Sequence, residues 1–314
     1  MARAEALTPR ASALFAHQLI VVTGKGGVGK TTVATALAVA AARRGLRTIV
    51  AEVAARDDVS RTLGGEHAAR DREVELAFGV HHISIEPEEA MHEYLVDQLP
   101  SRTLAAVLVE SRTFTYLVAA TPGMRELLTI GKVWELAQEQ RRRRGDRPYD
   151  VVILDAPATG HGIATLTAPH TFAKAARVGR IARQASTIDA LVTDPRRTAV
   201  VAVARPEEMP VNETLQLRGA LEDQVGLPLT LAVVNRVTPG RFTAAEVRTL
   251  AGCAQGPAVR AVLRSQQRSR AQRAQVARLR RGLACPVVSL RDLFYPALDS
   301  DSIAALAGEL ERVL

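Results

Sequence analysis

Gly24-Lys25-Gly26-Gly27-Val28-Gly29-Lys30-Thr31-Thr32 is the stretch that decides the fold of this chain. A β-branched run, LIVVT at 19–23, leads into it, and an alanine-rich helical run leaves it. Strand, glycine loop and helix in that order let successive backbone N–H groups curl inward toward phosphate oxygens. The N-terminus of the helix adds its partial positive charge at the same point. In such a loop Lys30 reaches the β- and γ-phosphates and the Thr31 hydroxyl ligates Mg2+. Residues Gly24 to Thr32 are therefore the expected cradle for ATP.

The same letters also spell a dinucleotide fingerprint, Gly24-x-Gly26-x-x-Gly29, with Glu52 at the end of the next β-branched run. That pattern alone is weak. Lys30-Thr31 directly after the last glycine favours a triphosphate over a dinucleotide. Lys25 is the deviant feature. The chain holds only four lysines, Lys25, Lys30, Lys132 and Lys174, and two of them fall in this one loop. A compact ammonium is evidently preferred there to a guanidinium.

Working outward, short β-branched runs alternate with longer helical patterns, the βαβ signature of a parallel sheet. Strands are expected at 19–23, 48–53, 81–86, 151–155, 198–204, 229–235 and 286–290. Helices are expected near 31–44, 88–110, 125–143, 163–187, 213–224, 244–250 and 258–281. The fold class is thus α/β: a doubly wound, mostly parallel sheet flanked by helices, with an appended helical region. All 314 residues read as one domain, with 1–17 as a flexible N-terminus and helical inserts at 88–147 and 163–195.

YDVVILDAPATGH, at 149–161, is a buried strand ending in an acid. Asp155 is placed like a Walker B carboxylate that holds Mg2+ through its water, and the loop beyond it would sense the γ-phosphate. With GKGGVGKTT at 24–32 and DAPATGH at 155–161, the chain resembles the ArsA-type ATPase family. That family includes arsenite-pump ATPases and the targeting ATPases for tail-anchored proteins. PGMRELLTIGKV at 122–133, DPRRTAVVAVARPEEMPVNET at 194–214 and VVNRVTP at 233–239 carry the likeness through most of the chain.

The resemblance implies an ATP-driven dimer, in which Lys25 reaches across the interface to the partner's nucleotide. It also implies that Asn235 hydrogen-bonds the adenine edge and that RDLFYPALDS, at 291–300, packs on the other side of the base. The family's switch I aspartate, which positions the attacking water, aligns with Ala54 here. Glu52 or Asp57 would then substitute for it, or this subunit binds ATP and cleaves it poorly, as in a heterodimer with an active paralogue.

Two isolated cysteines, Cys253 and Cys285, cannot build a three-thiolate arsenite site, and the family's Cys-x-x-Cys zinc clasp is missing. They give no disulfide framework either, which fits a reducing, cytoplasmic setting. No apolar stretch approaches a membrane span, and the N-terminus lacks a signal-peptide pattern. His81 and His82 sit in a strand pattern and read as structural.

The net charge of +8 is almost wholly arginine in an alanine-rich chain, so it reads as coding bias rather than a nucleic-acid footprint. No nucleic acid is expected. The stripe Lys174, Arg177, Arg180 and Arg183, the run 141–144 and the arginines of 264–281 read as solvated faces, with an acidic partner or a peripheral membrane contact as the alternative. The leading expectation is a dimeric ATPase switch acting on a protein client or membrane partner. Its rivals are a non-hydrolysing ATP-binding subunit and a ParA/MinD-like positioning ATPase. For the latter, the segment at 302–314 is too short and charge-balanced for a membrane helix and reads as a packing helix.

Overall fold

The computed structural model describes residues 13–53, 56–65, 72–98, 101, 111, 120–139, 147–176, 179–253, 256–295 and 297–314. Along them run β1 (Leu19–Gly24), α1 (Lys30–Arg43), β2 (Thr48–Val53), α2 (Asp58–Thr62), β3 (Val74–Glu75), β4 (His81–Ile85) and α3 (Pro87–Gln98). Then come α4 (Met124–Leu136), β5 (Val151–Asp155), α5 (Thr159–Ala176), α6 (Arg180–Val192), β6 (Thr198–Ala204) and α7 (Glu208–Gln224). The chain ends with β7 (Leu231–Val237), α8 (Ala244–Ala251), α9 (Pro257–Gly282), β8 (Val287–Arg291) and α10 (Ser300–Glu311).

The strands form one sheet in the order β3-β4-β2-β5-β1-β6-β7-β8. Every pairing is parallel except that of β3 with β4. β1, β5 and β6 are buried along their whole length, because helices cover both faces. Ile20 and Val22 point into a core shared with α1, α2 and α10. Leu19 and Val21, one residue out of phase, point into the opposite core with α4 to α7 and α9. The alanine-rich run after the glycine loop is α1, buried on nearly all sides, where only small side chains let it sit close against the sheet.

The expected α/β, doubly wound architecture is present, with differences at the element level. β7 lies two residues later than expected, and the short antiparallel β3 and the helix α2 carry too little periodicity to be read in advance. The single helix expected over 163–187 is two, α5 and α6, with Gly179 at φ +102 preceding the second. The basic stripe is therefore not one face of one helix: Lys174 lies on α5, while Arg180 and Arg183 lie on α6, and Arg177 is outside the described residues. Of the expected flexible N-terminus, residues 1–12 lie outside the described residues. Leu14 and Phe15 are buried against the α1 side of the sheet, so packing begins before residue 17. Ala54 and the arginine run at 141–144 are also outside.

Candidate nucleotide site

β1 is the central strand, with β5 and β6 as its neighbours. The glycine loop after β1, the Ala156–Ala158 turn after β5 and the head of α7 after β6 consequently open side by side, at the carboxyl edge where open α/β sheets place ligands. Two of the loop glycines are dictated by close packing. At Gly24, a Cβ would fall 2.2 Å from the Val203 carbonyl oxygen of β6. Gly29 has φ +94, and a Cβ there would meet Asn235 Nδ2 at 2.3 Å. Gly26, Gly27 and Val28 complete the loop, and nothing stands within 4 Å of a Cβ added at Gly26 or Gly27. That open side is where a triphosphate would approach.

Lys30 is buried at the head of α1 and donates to the Lys25 carbonyl at 3.3 Å. Burial pulls its ammonium below the ordinary lysine range, against the opposing pull of Asp155. The Thr31 hydroxyl donates to Asp155 Oδ2. Asp155 is 2% exposed, and its pKa is pushed up to about 6, chiefly by burial. The Thr31 hydrogen bond and the charge of Lys30 resist that rise, while Glu52 on the neighbouring strand reinforces it. Thr32 follows in the first turn of α1.

Glu52 is fully buried and is registered beside Asp155 across β2 and β5. Its Oε2 accepts the Val59 N–H at 2.9 Å, and His82 Nε2 lies 2.9 Å away, off the line of a hydrogen bond. His82 Nδ1 in turn meets Ser60 Oγ at 2.8 Å. Glu52 thus ties α2 to the sheet. The Asp57 carboxylate pairs with Arg61 at 3.5 Å. The charge that this segment does bring to the site is Arg56, which acts on both Lys30 and Asp155.

Asp155 Oδ1 and Glu52 Oε1 are both buried with no hydrogen-bond partner among the described residues. Asp155 thus keeps one orphan carboxylate oxygen while its other oxygen accepts from Thr31, an arrangement suited to the water shell of a hydrated Mg2+, so Thr31 and Asp155 fit that ion. Asn235, 4% exposed, donates from Nδ2 to the Val28 carbonyl at 3.0 Å and so buttresses the loop from β7. Sequence reasoning had not foreseen this role. It also missed Glu213 of α7, whose carboxylate holds Lys25 Nζ at 2.7 Å. Only the adjacency of β1 and β6 brings these two together. Gly162 was missed as well: a Cβ there would press 2.8 Å from Thr23 Oγ1, so α5 packs closely on the end of β1.

His81 stacks edge-on to Tyr149 at 5.2 Å, and Arg47 lies over the same ring at 4.3 Å, at the opposite end of the strands from the site. Both histidines therefore have packing roles. Cys253 lies two residues beyond α8 and is exposed, whereas Cys285, before β8, is partly buried.

A central parallel strand, a glycine loop capping a buried helix, and Lys30, Thr31 and Asp155 converging there define a P-loop nucleotide-binding protein. The family model for anion-transporting ATPases of the ArsA type matches residues 17–185 and 173–251. The chain is 30% identical over 254 residues to the ATPase BagA of Mycobacterium tuberculosis, covering 78% of this chain and 72% of that one. It is 25% identical over 240 residues to the arsenical pump-driving ATPase of Escherichia coli, covering 69% of this chain and 39% of the relative. Identity to the ATPase GET3 of Kluyveromyces lactis is 27% over 164 residues, half of this chain and 47% of that protein. The chain belongs to the ArsA-type anion-transporting ATPase family.

Proposed function

We propose that this protein is an Mg2+-dependent ATPase switch that closes as a dimer around ATP and couples closure to a protein or membrane partner. The observation that carries the reading is the Thr31–Asp155 hydrogen bond beneath the buried Lys30. A hydroxyl and a carboxylate already in contact need little rearrangement to face a metal-bound triphosphate. Lys30 would neutralise the β- and γ-phosphates, the loop N–H groups would orient them, and Asp155 would hold water in the ion's outer shell. Thr31 and Asp155 would hold the ion, which would supply charge stabilisation for phosphoryl transfer.

Lys25 is expected to act in trans. Its salt bridge to Glu213 keeps the ammonium on its own chain, half-exposed and facing solvent at the loop's edge. A partner's triphosphate, with its greater charge density, would draw it away. Lys30→Ala should abolish ATP binding in calorimetry. Lys25→Ala should leave binding intact but remove nucleotide-dependent dimerisation in sedimentation velocity. Dimerisation unchanged in Lys25→Ala would overturn the trans role. By the family resemblance, bound ATP would set its adenine edge at Asn235, with the 291–300 loop on the other side of the base.

One observation favours a second reading, an ATP-binding subunit with weak hydrolysis. Glu52 accepts the backbone of α2 through Oε2 and Asp57 is paired with Arg61, so each candidate substitute for a water-orienting aspartate is already partly committed. Single-turnover rates of the chain alone and mixed with an ArsA-type paralogue separate the two readings. A cytoplasmic setting is part of this proposal; among the described residues no helix is long and apolar enough to cross a membrane.

A further inference from the structure

The chain's net charge of +8 is concentrated in one helix. α9 runs 26 residues and carries eight arginines and no acidic residue. With those eight removed, the rest of the chain holds 33 basic and 33 acidic side chains, an even balance. A compositional bias toward arginine would spread the excess; here it is segregated. At 1.5 Å per residue the helix is about 39 Å long.

Its inner face is fixed. Gln266, Ser269, Val276 and Leu279 are buried, Ser269 Oγ donates to the Thr238 carbonyl at 3.3 Å, and Gln272 accepts the Thr238 N–H at 2.7 Å. All eight arginines are exposed. Arg260, Arg264, Arg268, Arg270, Arg278 and Arg281 fall within a sector about 160° wide on the outer side, taking ~100° per residue. Gln267, Ala271 and Ala274 lie between them with the half-buried Leu263 toward one edge, and none of the exposed large apolar side chains belongs to α9. Arg260 apart, none of the arginines has an ion-pair partner among the described residues.

We propose that the outer face of α9 docks this protein on an anionic lipid surface. Two features of the face disfavour a protein groove and a single nucleic-acid strand. It lacks the buried aromatic or apolar anchors that give protein interfaces their affinity, and it lacks the aromatic platforms on which single-stranded bases stack. What it offers is a long row of guanidinium groups on flexible stems, with small residues between. Those groups pair with phosphate in bidentate fashion and need no register with the surface. Each such arginine near an anionic membrane strengthens partitioning about five-fold. The inference rests on the charge distribution alone and not on ATP chemistry.

The test is co-sedimentation of the full chain with vesicles of phosphatidylcholine, with and without about 30% phosphatidylglycerol. The expected result is binding only to the anionic vesicles, lost at about 0.5 M salt, where the Debye length is short. The variant R264Q/R268Q/R278Q/R281Q should retain its circular dichroism spectrum and ATP affinity while partitioning several-hundred-fold less. Absence of binding by the wild-type chain, or undiminished binding by a folded variant, overturns the proposal. Preferential retention by duplex DNA when vesicles and DNA compete also overturns it.

Discussion

At the scale of single residues, the decisive contact is Thr31 with Asp155, and its energetics are unusual because the carboxylate is buried. An aspartate raised to about 6 binds a proton in the folded chain at pH values where the unfolded chain has released it. Stability is therefore fully present below the unfolded value of about 4 and falls as pH rises through about 6. At neutral pH the charged Asp155 costs the nucleotide-free protein on the order of 3 kcal/mol, which the cation and Lys30 would offset in the proposed ATP-bound state. Asp155→Asn should then raise the apo melting temperature at neutral pH, with the gain vanishing near pH ~4, and should abolish Mg2+-dependent ATP affinity. A gain that persists undiminished at low pH would show that burial of the charge is not its cause. That the loop glycines, Lys30, Thr31 and Asp155 would meet was legible in the sequence, because phosphate and metal chemistry would call for each at a fixed spacing. Glu213 and Arg56 were not, because their chemistry is ordinary and only their placement is special.

At the scale of elements, β2 and α2 form the segment between strand and switch, and Glu52 joins them. The sequence left Glu52 open as a substitute for a water-orienting acid. Its place, fully buried and accepting the Val59 N–H beside His82, makes it a tether. Glu52→Ala should lower the urea midpoint by an amount equivalent to about 2–3 kcal/mol, since it orphans a buried N–H and leaves a void. Lower turnover with an unchanged midpoint would return Glu52 to the chemistry. α5 begins at the turn after β5 and packs against α4 and α6. The one-helix expectation over 163–187 failed for a local reason: Gly179 takes a left-handed backbone, and helical periodicity alone does not reveal it.

At the scale of the whole molecule, one sheet gathers the ends of β1, β5 and β6, and the protein's stability should report on what binds there. ATP with Mg2+ at about a hundred times its dissociation constant should add roughly 2.7 kcal/mol, read as a shift of several degrees in melting temperature. Lys30→Ala should show no shift. A shift of equal size without Mg2+ would remove the ion from the site. The expected class, the sheet's parallel character and the residues of the phosphate loop came from the sequence by itself. Strand periodicity, helix patterning and a motif of fixed spacing are local properties, written within some ten residues of one another. The order of the strands, the Lys25–Glu213 pair, the Asn235 buttress and the anchoring of Glu52 were decided only by the tertiary structure. Each joins residues far apart in the chain, and their meeting depends on which strands lie side by side. The loop at 24–32 declares what it binds; the neighbours of β1 decide which groups hold it there.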